Sequence, residues 1–356
     1  MSDPWVMDRT AIDTLIDRII ADRAGTVIIG LLYIGNRLGI FRAMAGAGPV
    51  TSGELAERAG LNERYVLEWL KAMVAAEYLE CDPTATKFQM TEEQAAVLAD
   101  DESPTYLGGA GQLPIGSILH MPRFLEVFRD GGGLSYEELG PDIAEAHDQS
   151  HKSMFQHLLT QTWLPRVPGL QARLEAGIAV LDVGCGKGRS SLTMARVYPK
   201  SRIDGLDFDP YSISQARRAA TEAGIGNVAY LEMSITDLPA DGAYGFVLAF
   251  DCIHDMADPV GALKAIRGGL AEDGLFVWSE LRASDNPLEN RNPVGKMISG
   301  ISPFHCLTVS LVQGGVGLGN LLGEPGVRGL AEEAGFSTVE PLAIANRMQQ
   351  FFLLRR

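Results

Sequence analysis

Residues 180–189, V-L-D-V-G-C-G-K-G-R, constrain the fold more than any other stretch of the chain. Residues 178–183 form a short apolar run rich in β-branched side chains, which is typical of a buried strand. Gly184, Gly186 and Gly188 follow at alternate positions, where glycine permits positive φ and a close backbone approach to a ligand. Residues 190–198 have a helical pattern. A glycine-rich turn between strand and helix predicts an α/β sheet that binds a nucleotide-like ligand at this turn.

The spacing of these glycines narrows the choice of ligand. A dinucleotide loop has the pattern G-x-G-x-x-G, and a P-loop places Lys and Ser or Thr after its last glycine, whereas here the pattern is G-x-G-x-G followed by Arg189. A second strand over residues 202–206 ends at Asp207, 19 residues after Gly188, where a carboxylate suits ribose hydroxyls. An ordinary strand–helix turn would explain the glycines alone, but not the glycines, the acid and their spacing together.

Composition and charge exclude several classes of protein. The 356 residues are 46% apolar and 21% charged, as in an ordinary globular protein, and the net charge of −15 argues against an extended nucleic-acid surface. The four cysteines are scattered without a C-x-x-C pair, which favours a reducing, cytoplasmic compartment. The N-terminus carries Asp3 and Asp8 and no basic segment, so we expect no signal peptide. The longest apolar run, residues 26–34, is far short of the roughly 20 residues of a membrane span.

The first hundred residues predict a helical and winged-helix domain. Residues 10–45 have apolar helical faces, which favours a subunit interface and a homodimer or higher homo-oligomer. Thr51 with Glu54 forms a capping-box pattern, Gly60 ends that helix, Asn62 begins the next, and residues 87–91 suit the strand of a wing. Residues 46–100 carry four basic and ten acidic side chains. This negative charge favours a dimerisation and lid module over DNA binding.

Residues 103–175 read as a connector of short helices that contains four histidines. His147 and His151 are four residues apart and would share a helical face, as metal ligands do. The chain offers no third ligand at a fitting spacing, so solvated or core-edge histidines are the favoured interpretation.

From residue 176 the chain alternates strands and helices. Strands are predicted over residues 178–183, 202–206, 228–233, 245–250 and 274–281, and a final hairpin over residues 337–341 and 348–354. The pattern predicts an α/β, Rossmann-like, seven-stranded sheet. The predicted domains are 1–102 (N-terminal helices and winged helix), 103–175 (connector and acceptor-pocket lid) and 176–356 (ligand-binding sheet).

Nearly the whole chain resembles class I S-adenosylmethionine (SAM) methyltransferases that act on small molecules and carry an N-terminal winged helix, an actinobacterial group in particular. The resemblance rests on A-G-L-N-E-R-Y-V-L-E-W-L (59–70), L-D-V-G-C-G-K-G-R (181–189), A-F-D-C-I-H-D-M-A-D-P (249–259) and H-C-L-T-V-S-L-V-Q-G-G-V-G-L-G (305–319). Members of this group include natural-product O-methyltransferases, 2-oxo-acid C-methyltransferases and indole C3-methyltransferases.

The resemblance implies which residues contact SAM. Ser234 stands where many relatives have an acid near adenine N6, so its hydroxyl or backbone would have to replace that contact. The implied cofactor residues are Asp182, Gly184, Cys185, Gly186 and Gly188 at the methionine end, Asp207 at the ribose, Phe208, Ser234 and Ile235 at the adenine, and Phe250 and Asp251 at the sulfonium.

The resemblance also implies a catalytic group. O-methyltransferases of this kind use a histidine as base and a later carboxylate to orient it, matching His254, Asp255 and Glu280, and imidazole suits proton abstraction near neutral pH. A plainer alternative is that His254 and Asp255 only cap the helix beginning near Asp258. The 2-oxo-acid C-methyltransferases instead bind a metal through two histidines, matching His254 and His305, so an iron or zinc ion is a second possibility.

The sequence therefore predicts SAM-dependent methyl transfer to a small, fairly apolar acceptor of secondary metabolism, with His254 as base or metal ligand. The alternatives are a metal-assisted C-methyltransferase acting on a 2-oxo acid or indole, and a SAM-sensing winged-helix regulator. We expect no nucleic-acid partner and no membrane association. Residues 313–319 are glycine-rich but lack the features of a phosphate loop, and predict a flexible lid over the acceptor.

Overall fold

The computed structural model describes residues 7–356. Residues 1–6 lie outside the described residues. They include Asp3, on which part of the signal-peptide prediction rests. The chain forms two compact units, one ending at Ile115 and one beginning at Gly116.

The first unit is helical with a small β-wing. Its elements are α1 (Arg9–Arg37), α2 (Ile40–Met44), α3 (Ser52–Ala59), α4 (Glu63–Ala75), β1 (Glu80–Cys81), β2 (Phe88–Gln89), α5 (Glu92–Leu98) and a 3₁₀ turn at Gly108–Gly111. The predicted capping box is present, because the Thr51 hydroxyl accepts from the Glu54 amide while the Glu54 carboxylate accepts from the Thr51 amide. Gly60 ends α3 at a φ of 67°, Asn62 caps α4, and β1 pairs with β2 antiparallel. The winged-helix prediction is confirmed.

Aromatic packing holds the helices of this unit together. Trp69 and Phe41 meet edge to face with ring centroids 5.0 Å apart, and the Trp69 indole donates to the Leu31 carbonyl at 2.9 Å. Gly35 allows this packing, because a Cβ there would lie 2.6 Å from both rings. The outer face of α1 is different, since large apolar side chains such as Leu15, Ile16, Ile19 and Ile20 remain about half exposed.

The second unit begins with a run of helices. They are α6 (Gln112–Leu119, which crosses the boundary), α7 (Met121–Asp130), α8 (Tyr136–Leu139), α9 (Pro141–Met154) and α10 (Leu170–Ala176). Residues Phe155–Trp163 continue α9 as a π-helix, which widens the turn and is often found at functional sites.

A seven-stranded sheet forms the centre of the second unit. Its strands are β3 (Ala179–Val183), β4 (Arg202–Asp207), β5 (Val228–Glu232), β6 (Tyr244–Phe250), β7 (Leu270–Leu281), β8 (Thr338–Pro341) and β9 (Gln349–Arg355). The strand order is β5-β4-β3-β6-β7-β9-β8, with β9 antiparallel to both of its neighbours. The predicted strands and the closing hairpin are confirmed to within a few residues.

Helices cover both faces of this sheet. They are α11 (Arg189–Val197), α12 (Pro210–Ala223), α13 (Pro259–Gly269), α14 (Pro293–Ile301), α15 (Cys306–Val312) and α16 (Glu324–Glu333). Leu181 and Trp278 belong to the core on one face, and Val180, Phe246 and Leu248 to the core on the other. Both faces are therefore buried, which explains why the parallel strands read as continuous apolar runs.

The strand order reverses direction at β3, which pairs with β4 on one side and β6 on the other. In open α/β sheets such a reversal opens a crevice at the carboxyl ends of the strands, where ligands bind. The described helices include none long and apolar enough to cross a membrane.

Candidate active site

A cavity of about 520 Å³ lies at this reversal point. All the residues predicted to bind the cofactor, except Gly188, line it. Of the predicted catalytic residues only Asp255 lines it, whereas His254, Glu280 and His305 are 2% exposed or less and lie behind its wall. Helices α8 and α9 contribute the opposite wall through Tyr136, His147, Asp148 and His151.

The glycine loop has the backbone geometry that its sequence predicts. Gly184, Gly186 and Gly188 adopt φ angles of 65°, 51° and 75°, in the region that favours glycine. A Cβ at Gly184 would lie 2.7 Å from Cys252, and one at Gly188 would lie 2.5 Å from the Tyr230 ring. Gly188 therefore acts behind the cavity, as the N-cap of α11, rather than on its surface.

Two buried aspartates hold the loop in place. The Asp207 carboxylate accepts from the amides of Gly186 at 2.8 Å and Asp209 at 2.9 Å, so it ties the loop to the end of β4 while it lines the cavity. Asp182 accepts from the Ser190 and Ser191 hydroxyls, both at 2.5 Å. Burial raises the pKa of Asp182 to about 6 and also raises the pKa of Asp207. Each carboxylate thus has a structural role beside its predicted contact with SAM.

The predicted adenine residues lie on one rim of the cavity. Phe208 is half exposed, and its ring meets Tyr136 edge to face at 5.9 Å between centroids. The Ser234 hydroxyl accepts from the Thr236 amide at 3.3 Å and so caps the short turn that contains Ile235. The hydroxyl expected near adenine N6 already has this local partner.

Asp251, at the end of β6, has an unusual backbone and two partners from other elements. Its φ is 48°, which is rare for a residue other than glycine, and its carboxylate accepts from the Gln349 side-chain amide and, at 3.1 Å, from His151 Nε2. His151 Nδ1 donates to the His147 carbonyl at 2.9 Å, so both ring nitrogens act as donors. Burial lowers the pKa of His151, but the hydrogen bond and charge of Asp251, together with the His147 carbonyl, outweigh it and raise the pKa, in agreement with an imidazolium.

Ion pairs join helix α9 to the glycine loop. Arg189 donates to both carboxylate oxygens of Asp148, at 2.8 and 2.6 Å, and Lys187 donates to Glu145 at 2.5 Å. The Lys187 ammonium also lies 3.6 Å from Asp148. The two cations of the G-K-G-R sequence therefore bind α9, which carries the cavity-lining histidines.

His254 lies between two carboxylates. Its Nδ1 donates to Glu280 at 2.5 Å, and its Nε2 lies 3.3 Å from an oxygen of Asp255. The Trp278 indole donates to the other oxygen of Glu280 at 2.8 Å, so that carboxylate is held from both sides. Burial alone would lower the pKa of His254, but Glu280 and then Asp255 outweigh it and raise the pKa well above its usual value.

The capping interpretation of His254 and Asp255 is wrong. The side chain of Asp258 caps α13 by accepting from the Gly261 amide at 2.8 Å. His254 and Asp255 belong to a separate 3₁₀ turn, Ile253–Asp255, that directs them toward the cavity wall and Glu280.

A second histidine pair lies beside Asp255. His305 Nε2 is 2.9 Å from His147 Nε2, 3.3 Å from the Tyr136 hydroxyl and 3.6 Å from Asp255. Burial lowers the pKa of both imidazoles, and the neighbouring His305 lowers the pKa of His147 further. One of the two Nε2 atoms therefore carries the proton that the other accepts.

The described residues also contain a group of potential metal ligands. One ligand atom each from His254, Asp255 and Cys306 lies within 4.8 Å of the others. His305, the partner of His254 in the metal site that the resemblance implies, does not belong to this group; it contacts the other oxygen of Asp255.

Helix α9 lies within the predicted acceptor-pocket lid, residues 103–175, but none of its side chains was predicted as a site residue. The helix supplies His147, Asp148 and His151 to the cavity lining, and its Glu145 pairs with Lys187 of the glycine loop. Of the two interpretations given for His147 and His151, the structure agrees with core-edge histidines and not with solvated ones, because both are part-buried, line the cavity and contact buried partners. Their i, i+4 spacing was the available signal, but the sequence offered no third ligand at a fitting spacing. Their partners, Asp251 and His305, lie at least 100 positions further along the chain. The predicted lid at residues 313–319 is an anchored loop, in which Val316 donates to the Ala257 carbonyl.

Two family models match the chain. Residues 26–100 match an Rv2258c-like winged HTH domain, and residues 174–309 match a methyltransferase domain. A ubiquinone biosynthesis O-methyltransferase from Xanthomonas axonopodis pv. citri is 34% identical over 119 residues, which cover 33% of this chain and 48% of that protein. The chain thus spans about half the length of the curated relatives it matches.

Solved structures share the fold over almost the whole chain. The mitomycin 7-O-methyltransferase MmcR matches with a TM-score of 0.71 at 17% identity, covering 98% of this chain and 100% of that one. Human N-acetylserotonin methyltransferase in complex with SAM matches with a TM-score of 0.69 at 18% identity, covering 99% of both chains. The chain combines a winged helix-turn-helix domain with a methyltransferase domain of the class I, SAM-dependent fold.

Proposed function

We propose that the chain transfers the methyl group of SAM to a small-molecule acceptor. The observation that carries this proposal is a single cavity of about 520 Å³ that is lined both by the predicted SAM residues and by Asp255, next to His254. Its volume lies within the range of roughly 300–1,000 Å³ that is typical of small-ligand sites. The acceptor would enter between α9 and the end of β6, which is why we also propose that the part of the predicted lid from residue 116 to residue 175 belongs to the acceptor site.

In this function the two ends of the cavity have different tasks. The glycine loop, Asp182 and Asp207 hold SAM so that its methyl group points toward the end of β6. The bond from sulfonium sulfur to methyl breaks while the acceptor atom forms a bond to the same carbon, and S-adenosylhomocysteine leaves. Since the sulfonium already activates the methyl group, alignment supplies most of the catalysis, and alignment is worth roughly 7–11 kcal/mol in well-oriented systems.

His254 is the residue we assign to the acceptor. Glu280 fixes its Nδ1–H, so Nε2 is the atom left to take the acceptor's proton or to bind a metal. Because Glu280 and Asp255 raise the pKa of His254, Nε2 must first lose the proton that these carboxylates favour. We expect His254→Ala to lower kcat by about 10²–10⁴-fold, the usual worth of proton transfer, while the Kd of SAM stays unchanged. His120→Ala is the matched control, because His120 lies outside the cavity lining. Unchanged turnover in His254→Ala would exclude this role.

The direct test is transfer of a trideuteromethyl group from labelled SAM to a small-metabolite extract, read by mass spectrometry. We propose a natural-product acceptor, since MmcR acts on mitomycin. We expect a labelled product that disappears in Asp207→Ala. A protein that binds SAM, measured by calorimetry, but labels no compound in extracts of its own source would contradict the proposal.

The second candidate is a SAM-sensing regulator, which the winged HTH domain suggests. Residues 46–100 oppose it, because they carry ten acidic and four basic side chains, and Glu63 and Glu68 are exposed on the second helix of the helix-turn-helix. We propose that this domain serves subunit contacts in a cytoplasmic homodimer. Salt-sensitive, sequence-selective DNA binding in a gel shift would reverse the order of the two candidates.

A further inference from the structure

Cys306 is a potential metal ligand to which the methyl transfer described above gives no role, and it lies beside His254 and Asp255. Cys306 is buried, and its sulfur, one ring nitrogen of His254 and one Asp255 oxygen lie within 4.8 Å of one another. We propose that His254, Asp255 and Cys306 bind a divalent transition-metal ion of the Zn²⁺ or Fe²⁺ class, with one coordination position open to the cavity. This proposal rests on the proposed function, because it places the ion beside the acceptor.

The distances suit a tetrahedral ion. His254 Nε2 and the nearest Asp255 oxygen are 3.3 Å apart. Two nitrogen or oxygen ligands, each about 2.0–2.1 Å from a tetrahedral ion, are separated by about 3.3 Å. Asp255 alone of the three lines the cavity, so the open position would face the acceptor. Three protein ligands and one open position are the arrangement of catalytic rather than structural zinc sites.

The neighbouring residues form the outer shell that such a site requires. Metal-binding histidines usually donate their other ring N–H to a carboxylate, which fixes the ring and the tautomer. Here Nδ1 of His254 donates to Glu280 at 2.5 Å, and the Trp278 indole fixes Glu280 at 2.8 Å. The Asp255 oxygen nearest His254 is buried and makes no hydrogen bond. It lies 3.3 Å from His254 Nε2, and an ion bound between these two atoms would replace their ion pair.

The ligand types decide the class of ion. A thiolate and an imidazole select Zn²⁺, Fe²⁺ or Co²⁺ over Mg²⁺ and Ca²⁺, which prefer oxygen ligands. On binding, the ion would replace the Cys306 thiol proton and the proton on His254 Nε2, and both protons would leave to solvent. Thiolate and carboxylate then balance the 2+ charge of the ion.

This ligand set differs from the pair of histidines implied by the resemblance. His305 Nε2 is engaged with His147 at 2.9 Å and with the Tyr136 hydroxyl at 3.3 Å, and it approaches Asp255 on the oxygen that does not face His254. His305 would thus orient Asp255 from outside, and Cys306 would take the third position. The two ligand sets predict different spectra.

The test uses Co²⁺ as a probe on the full chain after dialysis against a chelator. We expect one equivalent of Co²⁺ to bind, with a near-ultraviolet thiolate-to-cobalt charge-transfer band and the intense visible bands of a four-coordinate ion, and we expect Zn²⁺ to abolish both. Cys306→Ser should lose the charge-transfer band. His305→Gln should keep it, and Glu280→Gln should weaken Co²⁺ binding about 10–100-fold, the usual cost of removing an outer-shell partner.

Controls separate the site from other thiols and from misfolding. Cys81→Ser removes the exposed thiol and should leave the band intact. Calorimetry with SAM on each variant reports whether the fold of the cofactor site survives. No Co²⁺ binding by the wild type, a spectrum without a thiolate band, or a band that persists in Cys306→Ser would each overturn the proposal. Methyl transfer that continues after chelation would overturn the proposed metal site but not the proposed methyltransferase function. A protein that binds both Co²⁺ and SAM but transfers no methyl group would count against the proposed function alone.

Discussion

The contact between Asp148 and Arg189 yields a quantitative prediction about how α9 is held over the cofactor loop. Arg189 donates two hydrogen bonds, at 2.8 and 2.6 Å, to the two oxygens of Asp148. The side chains are 30% and 7% exposed, so solvent screens the pair only in part. Asp148→Asn keeps the shape of the side chain but removes its charge and one acceptor.

A hydrogen bond to a charged group is worth about 1.5–3 kcal/mol, and exposure of the arginine reduces that worth. We therefore expect a coupling free energy of about 1–2 kcal/mol between the two residues. The ion pair joins α9 to the loop that follows β3, so removing it should also weaken SAM binding. A loss of about 1–2 kcal/mol raises the Kd of SAM by a factor of about 5–30.

The assay is a double-mutant cycle with Asp148→Asn, Arg189→Gln and the double variant. The free energy of unfolding comes from guanidinium titration, and the Kd of SAM from calorimetry. The matched control is the same cycle on Glu68 and Arg64, an i, i+4 pair at 55% and 68% exposure that should couple by only about 0.3–0.5 kcal/mol. A coupling energy in the Asp148–Arg189 cycle no larger than in this control would refute the reasoning.

Three further predictions follow from the structure. Asp207→Ala should weaken SAM binding about 10–100-fold in calorimetry, because it removes the predicted ribose acceptor and leaves the part-buried Gly186 amide without its partner. A Kd within about threefold of the wild type would contradict this. Burial raises the pKa of Asp182 from 3.8 to about 6, so the protonated carboxyl favours the folded state below pH ~4, and this contribution is lost as the pH rises through 6. In Asp182→Asn the free energy of unfolding should no longer fall with pH over this range. An unchanged dependence of the free energy of unfolding on pH would count against this reasoning. Ile16→Asp with Ile20→Asp should convert the proposed dimer to a monomer in light scattering, whereas a wild-type monomer would remove that proposal.

The fold was predictable because its signals are local. Caps such as Thr51 with Glu54, and glycines at forced positive φ such as Gly60 and Gly188, mark helix ends within a few residues of sequence. The buried strands are apolar on both faces, so their runs stand out between amphipathic helices. The alternation of strands and helices then predicted a seven-stranded Rossmann-like sheet with a closing hairpin, and the structure has this sheet.

The acceptor side of the site was less predictable because its contacts join distant segments. His151 meets Asp251 across 100 positions of sequence, and His147 meets His305 across 158. Cys306 had no motif to identify it, and only the fold brings its sulfur near His254. Sequence spacing identifies ligands on one helix or loop, but it gives no distance between side chains of separate elements.

The charges around the end of β6 bear on how methyl transfer would be driven. The sulfonium of SAM loses its positive charge during transfer, so a bare carboxylate beside it would stabilise the reactant more than the transition state and slow the reaction. Asp251 is paired with His151, and Asp255 lies against His254. The charge of Asp251 is therefore compensated by His151. The charge of Asp255 is compensated by His254, or by the metal ion where one is bound. We infer that His151 on α9 and His254 in the turn after β6 reduce the attraction of the two carboxylates for the sulfonium. The carboxylates still present oriented lone pairs to the acceptor.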